Sequence, residues 1–258
     1  MAGVNLSVTK ALDVLDLLGQ SERGLRLKDI AIQLDLPEST THRLLASLAG
    51  RGYVQQRDDH GVYILGWKIV VLAGSLGSDA RLVQTMRPFL DRLVRQLGQT
   101  INLAVLSNDQ VMYLDCQTPN HSLALYVAPG LTLPVHATSL GKVLLAHLPL
   151  DERETFLNRL TLAPLTPKTI ATPSALRAAL EAVRHDGHAV DLGELRPDVS
   201  CVAAPVLDGS GRARAAVSMT APTAELPADW QETFPPVLVE VTREASKKFF
   251  GAGQPALI

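Results

Sequence analysis

Short hydroxyls, an imidazole and a guanidinium stand together at Ser39-Thr40-Thr41-His42-Arg43. Such groups donate to phosphate oxygens and base edges, and a guanidinium can grip a guanine edge with two parallel bonds. Whether they act together depends on spacing. Pro37 suits a first helical position, and Thr41, Leu44, Leu45 and Leu48 recur as a buried stripe, which predicts a helix over Pro37 to Leu48. Ser39, Thr40, His42, Arg43 and Ser47 then point outward. The amides at such a helix start favour a phosphate. This is the chemistry of a helix that reads a major groove, with Ser39, Thr40, Thr41, His42, Arg43 and Ser47 as candidate contacts to double-stranded DNA.

Other groupings carry less. Ser139, His136 and Asp191 are the residue types of a hydrolytic relay, which leaves a hydrolase-like enzyme as an alternative. Ser139, however, lacks the G-x-S-x-G elbow that exposes a nucleophile, and His136 is very near it in sequence. His185 and His188 flank Gly187, where a helix should end, so they do not make a metal pair. Cys116 and Cys201 lack C-x-x-C spacing, which argues against a disulfide framework or structural zinc. No metal and no cofactor is expected.

The elements around the first cluster follow from periodicity. Val8 to Leu18 reads as a helix with Val8, Ala11, Leu12, Leu15 and Leu18 on one face. Leu27 to Leu34 gives a second helix with Ile30, Ala31 and Leu34 inward. After the third helix, Tyr53–Arg57 and Val62–Leu65 flank the turn Asp58-Asp59-His60-Gly61 and form a hairpin. Three helices and a hairpin in this order make a winged helix-turn-helix, and the wing adds Arg57 and His60 as candidate backbone or minor-groove contacts. Charge does not decide the partner. Residues 1–66 hold seven Lys and Arg against eight Asp and Glu, and the chain is at −2 overall. A winged helix that meets protein instead of DNA remains an alternative at this level.

From Trp67 to Leu76 the chain is apolar and helix-like, and Gly77-Ser78-Asp79 breaks it. The expected organisation is a DNA-binding domain over 1–66, a linker helix over 67–79 and a second domain over 80–258. Arg81 to Leu97 is a long amphipathic helix tolerating Pro88 near its first turns. Strands follow at Thr100–Leu106, Val111–Asp115 and His121–Val127, the first pair joined at Asn108-Asp109. Helices are expected at Thr138–Ala146, Asp151–Leu160 and Ser174–Arg184, the last announced by Thr172-Pro173. Strands return at His188–Leu192, Cys201–Leu207 and Ala213–Thr220, and a helix spans Trp230–Phe249. The second domain is therefore α+β, an antiparallel sheet with helices beside it. Asp13, Asp16 and Glu22 interrupt the first apolar stretch, which excludes a secretory h-region, and no apolar run approaches the roughly 18 residues of a membrane span. A cytoplasmic protein is expected.

Three separated stretches resemble one family. Leu27-Lys28-Asp29-Ile30-Ala31 through Leu36-Pro37-Glu38-Ser39-Thr40-Thr41-His42-Arg43-Leu44-Leu45, with Gly52-Tyr53-Val54, resembles the helix-turn-helix of the IclR family of transcription regulators. Leu133 to Ala146 is similar to that family's central signature. Val199 to Val206, followed by Ala216 to Pro222, is similar to its last. The resemblance runs from about Leu6 to Phe249. It implies a GAF-like effector-binding domain, a homodimer that can pair into a dimer of dimers, and control of catabolic operons. By motif position it also implies that Ser139, Leu140, Asp191, Cys201, Ser218 and Thr220 face the effector. Two departures stand out: Asp198 and Ala221 occupy places where the family commonly has Gly. A Gly at the first would suggest positive φ, which Asp tolerates less well.

The chemistry of the implied pocket suits a small carboxylate or aromatic acid. Thr138 can cap the following helix, leaving amides around Ser139, Leu140 and Gly141 for an anion. Ser218 and Thr220 are two apart on a strand and face one side. Asp191 would repel an anion unless it accepts from a ligand hydroxyl or is protonated by burial, which favours hydroxy or phenolic acids. Cys201 is as suited to core packing as to ligand contact, and Lys142 is expected to be solvated.

Overall fold

The computed structural model describes residues 5–21, 23–57, 61–75, 78–119 and 127–251. His60 of the expected wing, and all but the last residue of the strand expected over His121–Val127, lie outside them. The chain divides into two compact units, Met1–Ala80 and Arg81–Ile258.

The first unit runs α1 (Leu6–Gly19), β1 (Leu25–Arg26), α2 (Leu27–Gln33), α3 (Glu38–Gly50), β2 (Val54–Arg57), β3 (Val62–Leu65) and α4 (Trp67–Gly74). Asn5 opens α1 by accepting from the amides of Ser7 and Val8. Val14, Leu18, Ile30, Leu45 and Val54 form the core. The expected face of α1 is corrected here: Val8 and Leu12 are exposed, while Val14 and Leu18 are buried, with Leu15 and Leu17 packed alongside. Two apolar stripes wind round this helix, and periodicity alone does not say which one meets α3 and β3. β1 was not expected, since two residues show no alternation; it pairs with β3 to give the sheet order β1-β3-β2. Between α2 and α3, Asp35 takes a left-handed conformation at φ 50°, and the Leu36 amide donates to Ala31 O. That turn reverses the chain and delivers Pro37, which serves as the cap residue before α3 rather than as its first residue.

The second unit contains all but the first three residues of α5 (Ser78–Leu97), then β4 (Thr100–Ser107), β5 (Gln110–Gln117), β6 (Thr132–Pro134), α6 (Ser139–Ala146), α7 (Leu150–Arg159), α8 (Pro173–Asp186), β7 (Ala189–Leu192), β8 (Val199–Leu207), β9 (Ala213–Pro222) and α9 (Trp230–Phe250). The strands make one antiparallel sheet in the order β6-β5-β4-β9-β8-β7. β6 is too short to have been read from alternation. α5 starts earlier than expected, so Pro88 lies mid-helix; it is exposed there, where water can serve the carbonyl that its missing N–H leaves free.

Strand alternation separates two cores. Ile101, Leu103, Val202, Ala204, Val206, Val217 and Met219 face α5 and α9. Ala104, Ala189, Ala203 and Ala216 face α6 and α8, together with Val111 and Tyr113. Each fully buried Met86, Leu90, Leu93 or Ile101 side chain contributes about 1.5–3 kcal/mol by leaving water. The helices thus sandwich the sheet, which is an α+β architecture.

Candidate functional site

The sheet face toward α6 changes character along its length. Ala104 pairs with Ala216, and Ala189 with Ala203; these small side chains let α6 lie close. Further along the same face the pairs become polar. Asp191 stands opposite Cys201, Cys201 opposite Thr220, and Thr220 opposite Thr100, while Asn102 stands opposite Ser218. Above this polar end lies a cavity of about 120 Å³. Ser139, Leu140, Asp191, Cys201, Ser218 and Thr220 all line it, together with Tyr113, Thr138, Val127, Leu131, Leu133, Leu195, Arg196 and Val199.

α6 aims its first turn at the cavity for local reasons. Thr138 Oγ1 accepts from the Gly141 amide at 3.1 Å and donates to Pro134 O at 3.2 Å. The Lys142 amide donates to Thr138 O. Gly141, expected among the free donors, is therefore satisfied; the amides left at the helix start are those of Ser139 and Leu140. Gly141 is required by space, since a Cβ there would stand 2.0 Å from Val135 O.

The hydroxyls opposite are oriented by a residue that sequence reasoning missed. Fully buried Asn102 donates its Nδ2 to Ser218 Oγ at 3.2 Å and to Thr220 Oγ1 at 3.1 Å. Each hydroxyl, already accepting, keeps its own hydrogen for another partner. The cavity wall thus presents two O–H donors beside two N–H donors.

Asp191 Oδ1 accepts from the amides of Gly193 and Glu194, at 3.1 and 2.6 Å. Burial nevertheless dominates and pushes its carboxyl up to about 6. Gly193 makes the turn with φ 90°. Lys142 overturns the expectation that it is solvated. It is buried, pairs with Glu194, and donates to Val190 O, so it clamps the loop after β7 to α6. Thr166 and Thr169 hydroxyls hold the same loop through Gly193 O and Glu194 O, at 2.7 and 2.6 Å. Asp198 lies outside the positive-φ set, so the departure from the family pattern needs no strained backbone. Burial pushes the Cys201 thiol up to about 12 and Cys116 up to about 11; both are neutral, unpaired thiols.

The hydrolytic arrangement does not form. His136 Nε2 bonds Ala163 O at 3.0 Å and its Nδ1 has no hydrogen-bond partner among the described residues, while Asp191 accepts from backbone amides, so His136 meets neither Ser139 nor Asp191 as a relay requires. Among the described residues no group of three His, Cys, Asp or Glu is placed to hold a metal ion, and no helix is long and apolar enough to cross a membrane.

On α3, Ser39, His42, Arg43 and Ser47 are exposed, as is Arg57 on β2, and Thr40 is half-buried. Ser47 Oγ donates to Arg43 O. Thr41 must be withdrawn from the candidate contacts. It is 0% exposed and its hydroxyl donates back to Pro37 O at 3.2 Å, which makes it a core and helix-start residue.

Comparison with known proteins agrees across both units. Residues 7–58 match the IclR helix-turn-helix domain, and residues 76–247 match the bacterial transcriptional regulator IclR C-terminal domain. The chain is 34% identical over 241 residues to the HTH-type transcriptional regulator BhcR of Paracoccus denitrificans, covering 93% of this chain and 86% of that one. The crystal structure of the Thermotoga maritima IclR superposes with a TM-score of 0.74 at 26% identity, covering 95% of this chain and 98% of the other. An IclR homologue from Microbacterium hydrocarbonoxydans, solved with 4-hydroxybenzoate, gives 0.70 at 27% identity, covering 95% and 97%.

Proposed function

The chain belongs to the IclR family of bacterial transcriptional regulators, and on that premise we propose that a small organic acid, bound at the start of α6, controls its affinity for operator DNA. The observation that carries this is the convergence of the Ser139 and Leu140 amides with the Ser218 and Thr220 hydroxyls on one cavity. Four donors and the positive end of a helix suit a carboxylate. Leu131, Leu133 and Val127 offer an apolar wall to the rest of the ligand. A cavity of about 120 Å³ is near the 150 Å³ site known to hold benzene, which limits the effector to one ring or a short chain. Asp191 selects further. Protonated, it donates to the bound carboxylate; ionised, it accepts from a ligand hydroxyl, which favours hydroxy and phenolic acids. The relative that binds 4-hydroxybenzoate supports that class.

The exposed Ser39, His42, Arg43 and Ser47 on α3 serve base edges and phosphates, Thr40 contributes from the edge of that face, and Arg57 reaches the backbone from the wing. The reading domain is residues 1–66, the linker 67–79 and the effector domain 80–258. A homodimer presents two α3 helices to half-sites about one or more turns apart, and such dimers pair. Exposed Trp67, Val70 and Val71 on α4 support that assembly. The effector acts by binding the DNA-competent and incompetent arrangements unequally, and the operon under control breaks down such an acid.

Fluorescence anisotropy of the full chain on its own upstream region, against scrambled DNA at two salt concentrations, tests the reading. Preferential binding that falls with salt and shifts when hydroxy or phenolic acids are titrated is expected. Acids that bind without moving DNA affinity would overturn it.

A further inference from the structure

Arg196 lines the cavity and is the one cation among its described lining residues. It is exposed, so it stands at the mouth, whereas Ser139, Ser218 and Asp191 are buried at the floor. Its guanidinium makes two bonds to the Asp198 carboxylate, at 3.3 and 3.0 Å, and that pair is 55% and 66% exposed. An exposed pair of this kind is held weakly and is readily exchanged for another anion.

The backbone beneath it is fixed. The Val199 amide donates to Arg196 O and the Thr223 amide to Asp198 O. Gly193 packs so tightly on Pro197 O that a Cβ would stand 3.0 Å away. Thr166, Thr169 and Lys142 hold the other end of the loop. The loop is rigid, and its freedom lies in the side chain of Arg196.

We propose that Arg196 is a second recognition point, which leaves Asp198 to grip a second anionic group of the effector, so that the preferred ligands are short dicarboxylic acids. One carboxylate occupies the floor at α6 and the other reaches the mouth. A planar guanidinium takes a carboxylate through two parallel bonds, which an alkyl or methyl end cannot replace. This rests on the reading of the cavity as an acid site.

The test is isothermal titration calorimetry of the full chain with matched probes: succinate against butanoate, malate against 3-hydroxybutanoate, and terephthalate against 4-methylbenzoate. The diacid of a pair should bind about tenfold or more tightly, the effect of one charge-assisted contact. Arg196→Gln should remove that preference, lowering affinity for the diacid about tenfold and for the matched monoacid much less. Asp198→Asn should strengthen the diacid several-fold, since its competitor is gone. Equal binding within every pair, or a preference that survives Arg196→Gln, overturns the role of Arg196. If monoacids still bind and a Ser218→Ala/Thr220→Ala variant abolishes this, the acid site itself stands. If no probe binds, or that double variant leaves binding intact, the acid site falls and Arg196 with it.

Discussion

Two ends of one sheet face are built from the same strands and do opposite work. At one end Ala104, Ala189, Ala203 and Ala216 bring the backbone close beneath α6 and leave no space. At the other, Asn102, Ser218, Thr220 and Asp191 are equally buried, yet a cavity opens above them. Burial alone therefore does not mark the site. What differs is whether the polar atoms are used up: Asn102 spends its amide on two hydroxyls, and those hydroxyls, with the amides of Ser139 and Leu140, still have hydrogens to give.

The largest expected effect falls on the clamp between the ends. Lys142→Met leaves Glu194 buried without its cation and should cost about 3–5 kcal/mol in urea unfolding. A loss under about 1 kcal/mol would mean that the loop after β7 is held by Thr166 and Thr169 alone. Next, Ala216→Leu drives extra volume into the closed end and should cost about 1–3 kcal/mol. Ser218→Ala, two residues along the same strand, removes one hydrogen bond and should cost about 1 kcal/mol or less. The reverse order would erase the distinction between a packed end and a binding end.

A smaller effect should appear in pH. Burial raises the Asp191 carboxyl to about 6, so it is neutral below that pH and charged above it. The folded state then holds a proton that the unfolded chain releases near the ordinary carboxylate value. Stability from this group is present below that value and is lost as pH rises through about 6. Affinity for a non-hydroxylated acid should likewise fall several-fold as pH rises through about 6, and Asp191→Asn should flatten the profile. An unchanged slope in Asp191→Asn would place the titration elsewhere.

Legibility in the sequence followed the range of the interactions. α3 and its exposed donors rest on a local 3.6-residue period, and the start of α6 on a threonine cap followed by a glycine; both could be read directly. Ser218 and Thr220 shared a face because strand spacing guarantees it. Asn102 was invisible because its partners lie 116 and 118 residues away, and they meet only through the register of β4 with β9. Lys142 looked solvated because Glu194, 52 residues on, becomes its neighbour only when the loop after β7 folds over α6. Thr41 shows a different error: the 3.6-residue period already put it on the buried stripe, where it lies, and its residue type alone kept it among the DNA contacts. β1 and β6 were too short to carry any period.

The most direct test of the account compares the wild type with Ser218→Ala/Thr220→Ala by fluorescence anisotropy on the upstream DNA, with and without the acid that binds best. Wild-type affinity should shift about tenfold or more on adding the acid, and the variant should bind DNA like the acid-free wild type whether or not acid is present. A variant that still responds fully to the acid would contradict the claim that this cavity is where the effector acts.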